Sequence, residues 1–194
     1  MLRIPLLILI ALAITFLGAV QVSLWALDAT RGFGGLSVNG WTAYPDIQTI
    51  DADPYAKAHR ANDGHLLLGR AEGLVFRADT DQNEQALNAR CRYLVEGRVP
   101  PSLFWTLRAT YPDKTSPELP VGWPSVVNAH KVLKDRNGNI SITLSSSAET
   151  GNWLALAQNG TFELQLTLID TPTSNDSGIR EFEMPSIVQL ECAS

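Results

Sequence analysis

Thr161-Phe162-Glu163-Leu164-Gln165-Leu166-Thr167-Leu168-Ile169 alternates large apolar residues with polar ones. A strand turns successive side chains to opposite faces, so Phe162, Leu164, Leu166 and Leu168 are expected to face one core. Stretches on either side repeat the pattern. Cys91 to Val99 puts Cys91, Tyr93 and Val95 on one face and Arg92 and Glu96 on the other, and Pro100-Pro101 ends it. Leu103 to Tyr111 puts Leu103, Trp105, Leu107 and Ala109 together. Leu74 to Ala78 and Pro185 to Cys192 read as further strands. Val126 to Arg136 and Asn139 to Leu144 flank Asn137-Gly138, a pair suited to the positive φ angles of a tight hairpin. Polar loops are expected at Asp79 to Asn88, Ser145 to Thr150 and Thr171 to Gly178. The connection from Pro112 to Pro124 holds four prolines and is excluded from a central strand. About seven short strands with turns between them predict a mainly β chain, an antiparallel sandwich.

Upstream of the strands, Ile4 to Leu27 carries no charge. As a helix it would be roughly 36 Å long, enough to cross a hydrocarbon core of about 30 Å with some tilt. Trp25 suits the interface, and Arg3 ahead of the run favours a cytoplasmic N-terminus with the body exported. The alternative is a cleaved signal peptide, but the run exceeds the usual apolar region and holds no clear small-x-small site. The expected organisation is a transmembrane signal-anchor over 1–28, a linker over 29–52 opening Arg31-Gly32-Phe33-Gly34-Gly35, and a β-sandwich domain over 53–194. Asp53-Pro54 begins a helix as N-cap and first residue. It is expected to run to about Leu68, to bend at Gly64, to place Ala58, Ala61, His65 and Leu68 on one face, and to pack on the sandwich. The location that follows is a membrane crossed once, with the C-terminal domain on its exported side.

The chain has 194 residues and a net charge of −5. It lacks a Lys/Arg cluster, which argues against a nucleic-acid partner and against a polybasic lipid patch. Outside the cytoplasm, Cys91 and Cys192 are disulfide candidates; the other reading is two unpaired buried thiols.

Several short segments come in a familiar order: Asp53-Pro54-Tyr55, Cys91-Arg92-Tyr93, Phe104-Trp105-Thr106-Leu107, Gly151-Asn152-Trp153-Leu154, and Thr161-Phe162-Glu163-Leu164 through Asp170-Thr171-Pro172. Together they resemble the bacterial family numbered 1214 in the domain-of-unknown-function series, over roughly Asp53 to Cys192. The Asn-Trp-Leu element followed by an alternating strand is the most specific part. The resemblance implies a jelly-roll-like β-sandwich, often behind a membrane segment, and no mechanism. One departure stands out: the family's late strand often carries Arg and Tyr where this chain has Thr167 and Ile169.

Candidate chemistry is sparse. His59 and His65 are six apart instead of the four a helical metal pair needs, and His130 is remote in sequence. Neither a metal site nor a cofactor is expected. Asp79-Thr80-Asp81-Gln82-Asn83 opens like a calcium loop, but Glu84 stands where glycine is needed and Arg90 where glutamate is. Asp51 and Asp53 are a bare pair, one of them explained by capping. Ser145-Ser146-Ser147 lacks a nucleophile elbow. Glu72, Asp79, Asp81 and Glu96 are the carboxylates on which a glycoside hydrolase would have to draw. Among the tryptophans, Trp41 lies in the linker and Trp105 on a core face. Trp123, between Gly122 and Pro124, and Trp153 are the candidate ligand-binding residues. The expected function is a non-enzymatic envelope module that binds a carbohydrate ligand or an envelope protein; the alternative is a hydrolase acting on an envelope carbohydrate.

Overall fold

Alternation becomes pleat along most of the chain. The computed structural model describes residues 3–29, 35–46, 49–50, 52–63, 68, 72–111, 119–172 and 183–192. Outside these lie linker residues 30–34, Asp51, His65 with the expected helix between Gly64 and Leu67, and loop residues 112–118 and 173–178. The chain divides into two compact units: Met1–Gly34 with Thr49–Leu66, and Gly35–Gln48 with Leu67–Ser194.

The first unit holds two helices. α1 spans Arg3–Ala29, and Arg3–Ala26 is long and apolar enough to cross a membrane. Its side chains, including Ile4, Leu9, Phe16 and Trp25, are exposed. The Thr15 hydroxyl donates back to Ala11 O at 2.8 Å, so this hydroxyl in the middle of the apolar stretch is satisfied inside the helix. α2 spans Pro54–Asp63. Pro54 is its first residue, and Asp53 O accepts the first helical bond from Lys57 N at 3.0 Å, as capping predicted.

The second unit is a two-sheet sandwich. Its strands are β1 (Leu36–Val38), β2 (Trp41–Ala43), β3 (Gly73–Ala78), β4 (Cys91–Gly97), β5 (Phe104–Thr110), β6 (Val126–Asn128), β7 (Ile140–Ser145), β8 (Trp153–Ala155), β9 (Glu163–Ile169) and β10 (Ser186–Cys192). One sheet has the order β1-β2-β3-β9-β5-β6, the other β10-β4-β7-β8. β9 pairs along its whole length with β5 and from Leu164 to Ile169 with β3. Leu164, Leu166 and Leu168 are buried, and meet Tyr93, Val95, Ile142, Leu144 and Ile187 of the smaller sheet in one core. Gly73 opens β3 where the backbones press close: a Cβ there would stand 2.1 Å from Leu168 O.

Four features depart from expectation. Two strands come from the stretch read as linker. Asn39-Gly40, with φ of 50° and 79°, closes a two-residue hairpin between β1 and β2, and β2 extends the larger sheet beside β3. Trp41, fully buried, donates from Nε1 to Pro185 O at 2.7 Å, and Asn39 Nδ2 donates to Met184 O at 3.0 Å. The hairpin therefore closes one long edge of the sandwich.

Asn137-Gly138, in contrast, closes only an isolated antiparallel bridge between Lys134 and Ile140 and joins no two extended strands. Asn137 is not in the left-handed region, and Asp135 Oδ1 accepts from both Asn137 N and Asn139 N at 2.8 Å to hold a tight turn. The expected strand from Val126 to Arg136 is only β6, which pairs with β5, whereas β7 pairs with β4 and β8. The third departure is orientation. β7 and β8 run parallel and every other strand pair among the described residues is antiparallel, so the sheet is not purely antiparallel. Leu103 likewise lies ahead of β5 and is exposed, while Trp105 and Leu107 are buried as expected.

Cys91 and Cys192 face each other in the β4–β10 register and form a disulfide with S–S 2.03 Å, 101 residues apart in sequence. In the chain-entropy view a loop of that length contributes about 4–5 kcal/mol. Urea unfolding with and without reductant is expected to show a lower midpoint for the reduced protein, and the double variant Cys91→Ser/Cys192→Ser should match it. An unchanged midpoint would mean that the cross-link adds no stability beyond the β4–β10 pairing.

Candidate functional site

The proline-rich loop and the start of β8 meet where β6 and β8 close the other long edge. Trp123 N donates to Pro120 O at 3.1 Å, a turn that puts Gly122 at φ 88° and leaves Val121 wholly exposed. The next residue ties the loop down: Pro124 O accepts from Ala155 N at 2.8 Å. Trp153 heads β8 opposite Thr143. The two tryptophans nominated from the sequence thereby come together. Their ring centroids are 4.8 Å apart at 67°, edge to face, and both are half-buried. That arrangement sets the positive edge of one ring against the negative face of the other.

The two indoles differ in what holds them. Trp153 Nε1 donates to Ser145 O at 3.2 Å, which fixes its plane. Among the described residues Trp123 Nε1 has no acceptor. The residue before Trp153 does the positioning. Asn152 Oδ1 accepts from Leu133 N at 2.7 Å, and its Nδ2 donates to Leu133 O at 2.7 Å and Ser141 O at 3.0 Å. One side-chain amide thus joins the segment after β6, the start of β7 and the entry to β8. The sequence marked Asn152-Trp153-Leu154 as distinctive without disclosing this role.

The other sequence candidates are dispersed. Ser145 Oγ accepts from Ser147 N at 3.0 Å and is buried, so this serine shapes a turn. Asp81 is buried, with Oδ1 accepting from Asn83 N at 2.8 Å and Gln85 N at 2.9 Å; it organises the β3–β4 loop. Glu72 precedes β3, Asp79 and Asp81 follow it, and Glu96 lies near the end of β4. Glu96 lines a shallow groove of about 490 Å³ with Arg98, Leu133, Asp135, Ser141 and Ser186, and the tryptophan pair lies outside it. His130 is exposed, its ring centroid 5.3 Å from that of Phe104. Among the described residues no group of three or more His, Cys, Asp or Glu is placed to hold a metal.

Ionisation near the site follows local bonding. Arg92 is held above its ordinary value, first by the hydrogen bond to Glu191 and then by the charges of Glu149, 2.8 Å away, and Glu191. Burial pushes the Tyr93 and Tyr111 phenols up, and each oxygen accepts a backbone N–H, from Asn88 at 2.9 Å and from Ala157 at 2.8 Å. They are protonated structural groups. Asp135 is held below the usual carboxylate range, first by the Asn139 N–H and further by its side chain and the Asn137 and Gly138 amides.

A family model described as "Protein of unknown function (DUF1214)" matches residues 72–173, just over half of the chain. The chain belongs to this family. The match covers β3 to β9; β1, β2 and β10 lie outside it yet complete the two sheets of this DUF1214 protein. No curated protein matches the chain. Among solved structures, the VPA0106 protein from Vibrio parahaemolyticus superposes with a TM-score of 0.59 at 19% identity, over 73% of this chain and 36% of that one. A second, an uncharacterized protein from Burkholderia cenocepacia, gives a TM-score of 0.40 at 18% identity, over 77% of this chain and 47% of that one. The first likeness supports the fold. The chain spans less than half the length of either structure.

Two outcomes follow for this part of the sandwich. Asn152→Ala is expected to cost about 1–3 kcal/mol, as hydrogen bonds to three backbone groups are lost, read as a lower urea midpoint. For Asp135 the folded value is depressed, so its contribution is present above the unfolded value and fades as pH falls through the folded one. The stability gap between wild type and Asp135→Asn should be widest near neutrality and close in acid, as thermal midpoints across that range would show.

Proposed function

We propose that this DUF1214 protein is a non-enzymatic, membrane-anchored envelope module that binds a ligand or partner at the Trp123–Trp153 pair. In this reading α1 is an uncleaved anchor crossing a bacterial inner membrane once, and residues 53–194 form the exported domain, joined by the β1–β2 hairpin. The sandwich stands in the periplasm on a jelly-roll-like chain that passes between the sheets from β3 to β4, β4 to β5, β6 to β7, β8 to β9 and β9 to β10. The apolar, exposed surface of α1 and the Cys91–Cys192 bridge support export.

One observation carries the binding reading. Two tryptophans from separate segments meet at a sheet edge, each part-exposed, with one ring fixed by Ser145 and the other carrying an indole N–H that has no acceptor among the described residues. Large rigid rings that keep an open face and a spare donor suit stacking with hydrogen bonding, the pairing of forces by which a carbohydrate or a peptide is held.

Titration of the full chain in detergent micelles with soluble glycan fragments of the bacterial envelope, followed by tryptophan emission, tests this. The wild type should show a saturable change that Trp123→Ala and Trp153→Ala each abolish while near-UV circular dichroism of the remaining core persists. The same saturable change in both variants would remove the pair from ligand binding.

A further inference from the structure

Among the described residues three arginines are half-buried: Arg77, Arg92 and Arg108. Two of them have carboxylates. Arg77 Nη1 lies 3.5 Å from Glu163 Oε1, and Arg92 lies between Glu149 and Glu191. Arg108 does not. Its Nε at 3.3 Å and Nη2 at 2.9 Å both donate to Gln165 Oε1, a neutral acceptor. A cation that loses part of its hydration without a counter-charge is a cost to the fold. The chain has 20 acidic residues to 15 basic ones, so carboxylates are not scarce. Their absence at this one arginine calls for a reason.

The surroundings supply one. Strand register puts Arg77, Gln165 and Arg108 in one row across the outer face of the larger sheet, and Thr167, Thr106 and Asn128 in the next. Gln165 grips Arg108 through its oxygen and donates from Nε2 to Thr167 Oγ1 at 3.4 Å. Among the described residues the Thr167 hydroxyl accepts that bond and makes no other, and Thr106 stands opposite it in the register. Glu163 lies two residues from Gln165, opposite Thr110, and is engaged by Arg77. A guanidinium whose orientation is already set loses less freedom when it takes a planar or tetrahedral oxyanion.

We propose that this outer face is an oxyanion site, at which Arg108 receives a carboxylate or phosphate group of a ligand, Gln165 is the positioning residue, and the Thr106 and Thr167 hydroxyls complete the donor set. The site is separate from the tryptophan pair and does not depend on it.

Isothermal titration of the full chain in detergent micelles, with inorganic phosphate and separately with acetate at constant ionic strength, tests the proposal and distinguishes the two chemistries. At least one anion should bind saturably. Arg108→Gln should weaken that binding about tenfold or more, as expected for loss of a charged hydrogen-bond donor. Gln165→Leu should weaken it without moving the thermal midpoint of the unliganded protein, a split that a purely structural role would not give. Trp123→Ala should leave it unchanged. If Arg108→Gln does not fold, Arg108→Lys decides: it keeps the charge and loses the fork, and undiminished affinity overturns the proposal. So does the absence of saturable binding of either anion by the wild type, or equal binding by a folded Arg108→Gln.

Discussion

The sandwich rests on the burial of one face of β9. Leu164, Leu166 and Leu168 are within 1% of complete burial, and β9 is hydrogen-bonded on both sides, to β3 and β5, from Leu164 to Ile169. A central strand has no free backbone groups to lend, so its register is set by the demand that all three leucines face inward. A slip of one residue would turn the leucines out and bring Glu163, Gln165 and Thr167 into the core. The same constraint arranges the other face. Because the leucines must point inward, Gln165 must point outward between Arg77 and Arg108. The polar row is thus a consequence of the core.

Edges are the second problem of a two-sheet structure, since unpaired strand groups invite association. Here both long edges are occupied by local devices. At one, the Asn39-Gly40 hairpin brings Trp41 over the core and hydrogen-bonds it to Pro185, at the threshold of β10. At the other, Pro124 receives the Ala155 amide and Asn152 ties Leu133 to Ser141. The tryptophan pair sits on this second closure. Its rings are held by the same short segments that finish the sandwich, which accounts for their fixed geometry in what would otherwise be loops.

Two of the three Asn-Gly pairs, Asn39-Gly40 and Asn137-Gly138, show where sequence reading succeeds and fails. Both are turn-formers, and both turns exist. Only Asn39-Gly40 has positive φ at both residues and joins paired strands; its flanks, Leu36–Val38 and Trp41–Ala43, are too short to announce themselves by alternation. Asn137-Gly138 has longer apolar flanks, yet they belong to different sheets. Local chemistry determines that a chain turns. Which strands then pair is decided by the partners available in space, here β5 for β6 and β4 for β7.

Sequence by itself determined the apolar run from Ile4 to Leu27, the inward faces of β4 and β9 and, apart from Leu103, that of β5, the cap at Asp53, and the candidacy of Cys91 and Cys192 for a disulfide. Each of these depends on periodicity, composition or neighbouring residues, which a linear reading contains. Tertiary structure alone decided that Trp123 touches Trp153, that Asn152 bridges three segments, that β7 and β8 run parallel, and that Arg108 meets an amide and no carboxylate. Those are contacts between residues far apart in sequence. Their geometry depends on how two sheets close on each other, and no local preference encodes that closure.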